Sequence, residues 1–120
     1  MKWVFKDGVP IYQQIIQRLQ IGIANGTYPP GSKVPAVRDL ALEAGVNPNT
    51  MQRALTELER DGLMYSVRTS GRFVTEDAAK LEELKNMLSR SYIDEMILQL
   101  RGLGYTDEEI PEAVRKALDA

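Results

Sequence analysis

The chain has 120 residues, 43% of them hydrophobic, with 15 Lys and Arg against 17 Asp and Glu, a net charge of −2. Cysteine and histidine are both absent, which excludes disulfides, Cys/His zinc sites, thiol nucleophiles and histidine general bases together. The length suits one small domain with an appendage, and no apolar run approaches the roughly 18 residues of a spanning helix.

Residues 1–9 read as an extended arm, with Trp3, Val4 and Phe5 apolar and Asp7-Gly8 a turn. The start Met-Lys-Trp-Val-Phe-Lys is too short for a signal peptide, so a cytoplasmic protein with no membrane association is expected. Pro10 opens a first helix that runs to about Asn25, its Tyr12, Ile15, Ile16, Leu19 and Ile23 recurring at three- and four-residue spacing. Thr27-Tyr28-Pro29-Pro30-Gly31-Ser32 is a turn-rich connector. A second helix is predicted over about Ala36 to Ala44, with Val37, Leu40 and Ala41 inward.

Gly45 can close that helix in the left-handed conformation that a Cβ disfavours. Asn47 is a good N-cap, and Pro48 fits the first helical position, where no amide donor is needed. The third helix therefore runs from Pro48 to about Asp61, with Gly62 at its end. Met51, Ala54, Leu55 and Leu58 fall on one face; Asn49, Arg53, Thr56 and Arg60 fall on the other, with Gln52 on the shoulder. Leu63–Val67 and Arg72–Thr75 read as strands joined through Arg68-Thr69-Ser70-Gly71. A helix-turn-helix followed at once by a β-hairpin is a winged helix.

From Glu76 the composition changes. Residues 1–75 hold 9 Lys and Arg against 6 Asp and Glu, whereas residues 76–120 hold 6 against 11, so a mildly basic part precedes an acidic one. A long helix to about Arg101 carries a broad apolar stripe of Leu81, Leu84, Leu88, Tyr92, Ile93, Met96, Ile97 and Leu100. The stripe admits three readings: monomer core, ligand pocket, or a seam with a second subunit. The last is preferred because the stripe is too wide for one short antiparallel helix, and it rests on Leu81, Leu84, Leu88, Tyr92, Met96 and Leu100. A final helix covers about Thr106 to Ala120. Thr106 and Glu109 have capping-box spacing, but Pro111 would then fall at the fifth helical position, so the helix either bends there or starts properly at Pro111.

The fold expected is thus mostly α with a small β-hairpin: a winged helix-turn-helix domain over 1–75 and a helical dimerisation tail over 76–120. An amide and guanidinium face suits base edges in a major groove, since Asn49 and Gln52 can pair bidentately with adenine and Arg53 with guanine. Arg38 near the start of the second helix can reach phosphate or pair with Asp39 or Glu43. Thr50 can donate to phosphate or bond locally, and Lys33 adds charge. Arg68 and Arg72 flank the wing tip, where arginine suits phosphate or a minor groove. Carboxylates are plentiful, but none is paired distinctively and no glycine-rich phosphate cradle is present. No enzyme activity, metal or cofactor is expected.

The run Pro10-Ile11-Tyr12-Gln13-Gln14-Ile15, then Pro30-Gly31-Ser32-Lys33-Val34-Pro35, Val37-Arg38-Asp39-Leu40-Ala41, Val46-Asn47-Pro48-Asn49-Thr50, Arg53-Ala54-Leu55, Leu58-Glu59, Asp61-Gly62-Leu63 and Gly71-Arg72-Phe73-Val74 resembles the DNA-binding domain of GntR-family bacterial transcription regulators. The short helical tail resembles the YtrA-like subfamily: most members of the family carry a much larger effector domain, for which the 46 residues over 75–120 leave no room. The resemblance implies a homodimeric repressor of a palindromic operator on double-stranded DNA. It places DNA contacts at Arg38, Asn47, Asn49, Thr50, Gln52, Arg53 and the wing at Thr69, Ser70 and Gly71. Three residues depart from the family pattern: Ala36 replaces a serine N-cap, Thr69 a glycine and Arg72 a smaller residue. The sequence identifies no small-molecule effector. The alternative function is a winged-helix protein-interaction module that does not bind DNA.

Overall fold

The computed structural model describes residues 2–120. In chain order the elements are α1 (Ile11–Ala24), α2 (Val37–Ala44), α3 (Pro48–Arg60), β1 (Met64–Val67), β2 (Gly71–Val74), α4 (Ala78–Gly102) and α5 (Glu109–Asp119). The chain forms two compact units, Met1–Lys85 and Asn86–Ala120, so the division falls inside α4, ten residues beyond the 75/76 boundary that the composition change suggests.

In the first unit α3 packs on both α1 and α2. Ile15, Leu19, Leu40, Met51, Leu55, Leu58 and Val74 are fully buried and form the core. Each aliphatic side chain of this kind contributes about 1.5–3 kcal/mol by leaving water. Gly45 ends α2 at φ 77°, ψ 36°, and its amide donates to the Ala41 and Leu42 carbonyls. This left-handed cap turns the chain sharply into α3. The N-terminal arm is fixed by Trp3, which is buried, donates its amide to the Ala44 carbonyl at 3.3 Å and lies 4.5 Å under the Arg18 guanidinium.

The hairpin is antiparallel, with Met64 opposite Val74 and Tyr65 opposite Phe73. A third short partner joins it: Lys33 pairs with Phe73, and the Val34 amide donates to the Arg72 carbonyl while the Val74 amide donates to that of Ser32. The connector before α2 is therefore part of the wing sheet, with β2 in the centre.

Asp77 caps α4, accepting from the Ala79 and Lys80 amides at 3.0 and 3.2 Å. In the second unit the capping box closes, with Glu109 accepting from the Thr106 amide and Thr106 accepting from the Glu109 amide. The regular helix begins only at Glu109. Pro111 thus falls at its third position, within the first turn, where the missing N–H costs nothing, so the regular helix starts neither at Thr106 nor at Pro111 itself.

Candidate nucleic-acid interface

Asn47 holds φ −65°, ψ 135°, and its Oδ1 accepts from the Asn49 amide at 2.7 Å. This cap, with Pro48 behind it, sets the angle at which α3 starts. Met51, Ala54, Leu55 and Leu58 are completely buried. Helical geometry then leaves Asn49, Gln52, Arg53, Thr56 and Arg60 exposed on the other side.

These exposed groups differ in freedom. The Asn49 side-chain carboxamide, unlike its backbone N–H, has no hydrogen-bond partner among the described residues, so both its donor and its acceptor remain available. Gln52 is tethered along the helix, donating to Thr56 Oγ1 at 3.2 Å, while Thr56 returns a bond to the Gln52 carbonyl. Arg60 pairs with Glu57 at 2.7 Å. Arg53 has no carboxylate partner among the described residues, but its guanidinium lies 3.7 Å over the Tyr12 ring of α1. Tyr12 carries an apolar-face assignment in the sequence because it shares the spacing of Ile15 and Leu19; its half-buried ring instead serves both faces.

Arg38 is exposed at the second position of α2, and no ion pair ties it to Asp39 or Glu43 among the described residues. Ala36 offers no side-chain bond to that helix start, as its replacement of serine implies. Thr50 is half-buried in the first turn of α3.

Arg68, Thr69 and Ser70 are exposed at the wing tip, which turns through Gly71 at φ 108°. Arg72 is placed differently from a free tip arginine. Its side chain is only 17% exposed and its Nε donates to Glu59 Oε1 at 3.0 Å. Ser66 donates to the same oxygen at 2.7 Å. The two donors hold the Glu59 carboxyl below the usual range, the Ser66 bond first and the Arg72 bond second. Arg72 therefore ties β2 to the last turn of α3. Lys33, Arg68 and Arg72 line a cleft of about 450 Å³ between the wing and the start of α2. A cleft edged by cations and a helix face of unpaired amide and guanidinium groups can engage phosphate and base edges respectively.

In the second unit Leu88 is buried, and Leu84, at the end of the first, is buried too. Leu81, Met96 and Leu100 are half-buried, and Tyr92 is exposed. The single chain already covers Leu84 and Leu88, so they offer no free area to a second copy. The open apolar side chains of the second unit are Met87, Tyr92, Ile93, Leu98, Leu103, Tyr105 and Leu118.

Comparison with known proteins accords with this arrangement. The family described as "Bacterial regulatory proteins, gntR family" matches residues 11–74. The HTH-type transcriptional regulator YhcF of Bacillus subtilis is 37% identical over 111 residues, 92% of either chain. The HTH-type transcriptional repressor YtrA of the same organism is 33% identical over 112 residues, 92% of this chain and 86% of its own length. Among solved structures, a GntR family transcriptional regulator from Listeria monocytogenes superposes with a TM-score of 0.85 at 39% identity, covering 93% of this chain and 98% of that one. The DNA-binding domain of AraR in complex with operator ORX1 matches with a TM-score of 0.56 at 30% identity, over 60% of this chain and 93% of its own. Over more than nine-tenths of its length this winged-helix unit with its short helical tail thus matches transcriptional regulators, and the chain belongs to the GntR family of bacterial regulatory proteins, in its YtrA-like subfamily.

Proposed function

We propose that this DNA-binding transcription regulator is a cytoplasmic homodimeric repressor of a palindromic operator. Each subunit reads one half-site by placing α3 in the major groove, where Asn49, Gln52 and Arg53 meet base edges. Arg38, Asn47 and Thr50 at the helix starts and Arg68, Thr69, Ser70 and Gly71 on the wing face the phosphate backbone. The tail supplies the subunit contact. The observation that carries the reading is the division of α3: every apolar side chain of its inner face is buried, while Asn49 and Arg53 keep their hydrogen-bonding groups free.

Selection of duplexes from a random pool tests it. An inverted repeat is expected, with half-site centres one helical turn apart, roughly 34 Å. An enriched motif without twofold symmetry overturns the dimeric reading. No association with random duplex at low salt overturns DNA binding itself, because a nucleic-acid binder retains weak, salt-dependent affinity for any duplex.

A further inference from the structure

We infer that Tyr12 is a positioning residue for base recognition: its ring braces the Arg53 guanidinium in the orientation that reads a guanine. The inference rests on the proposed role of Arg53 and deepens it. Bidentate pairing with guanine needs the guanidinium plane aligned with the base edge, and a free arginine samples many rotamers. Here the guanidinium carbon lies 3.7 Å from the ring centroid. A face-on contact holds the group by cation–π attraction while leaving its in-plane N–H donors unobstructed. No carboxylate competes for those donors among the described residues.

Tyr12 is itself fixed. It is the second residue of α1, and α1 packs along α3. The turn before α1 is closed by Gln14, which donates to the Lys6 and Val9 carbonyls at 2.9 Å each and accepts from the Lys6 amide at 3.0 Å. Among the described residues the hydroxyl meets only the Gln13 side-chain amide, which donates to it at 3.5 Å, so the ring and not the hydroxyl carries the effect.

The test uses the duplex recovered from a random pool by the wild-type chain, with all single-base-pair variants of one half-site. Tyr12→Leu should weaken cognate binding by about three- to tenfold. It should also flatten discrimination at the same base pair that Arg53→Ala flattens, leaving affinity for random duplex unchanged. Tyr12→Phe should match the wild type. Tyr12→Leu combined with Arg53→Ala should be no worse than Arg53→Ala alone. If Arg53→Ala flattens a position and Tyr12→Leu leaves it intact, or weakens every duplex equally, the brace is refuted while the base-reading role stands. If Arg53→Ala flattens no position, both fall together. A readout independent of variant folding is the Arg53 δ-methylene proton resonance of the free wild-type protein. Ring stacking shifts it upfield, and an ordinary position overturns the proposal.

Discussion

Arg72 and Arg68 are both wing arginines in the sequence, yet their surroundings divide their work. Arg68 stands exposed at the tip; Arg72 is held by Glu59, which also accepts from Ser66. Arg68→Ala should lower the slope of log affinity against log salt by about one contact. Arg72→Ala should change that slope less and instead cost about 1 kcal/mol of stability through loss of a partly screened charged bond. Titration at several salt concentrations and thermal melts separate the two outcomes. The sign of the pH effect follows from the Glu59 carboxyl. Its pKa is lower folded than unfolded, so its contribution is present above the ordinary carboxylate value of about 4.3. That contribution is lost as pH falls through the folded value. Melting temperatures of wild type and Glu59→Gln should therefore converge on acidification and separate toward neutrality. A constant difference would show that the carboxylate does not strap the wing.

Among the elements, α2 has the weakest start. Ala36 sits in N-cap geometry at φ −59°, ψ 148° without a side-chain acceptor. Ala36→Ser should stabilise the unit by about 1 kcal/mol, raising Tm by roughly 4–8 °C; no rise in a thermal melt would show that water already satisfies those amides. Elements with local punctuation were readable from the sequence. Asn47-Pro48 and Gly62 bracket α3, and the two strands differ from expectation by only a residue at their ends. The Lys33–Phe73 pairing was not readable, because a single bridge within a proline-rich connector has no periodicity. Nor were the Arg72–Glu59 and Arg53–Tyr12 contacts. Both join different elements, and spacing along a chain reports neighbours on one helix or strand, not partners across a fold. The exposed polar face of α3 was legible for the opposite reason: an N-cap and helical period suffice to say which side chains point away from a buried face.

For the molecule as a whole, the basic and acidic parts have unequal tasks. An acidic tail gains nothing from approaching phosphate, whereas its open Ile93, Leu98 and Leu103 suit another protein surface. We predict that Leu98→Glu with Leu103→Glu converts the proposed dimer to monomers in sedimentation equilibrium. Operator affinity should fall by about two orders of magnitude or more as bivalent attachment is lost, with little change in binding to a single half-site. A doubly substituted chain that still sediments as a dimer would move the seam elsewhere on the tail.

The third partner in the wing sheet has a dynamic consequence. With Ser32 and Val34 on one side and β1 on the other, β2 is an interior strand despite the brevity of the hairpin. Its amides should resist deuterium uptake as a central strand does, while those of Arg68 and Thr69 exchange rapidly. The tip can thus move on a base that does not yield. An inserted residue between Gly31 and Val34 would transmit a register error straight to Arg72.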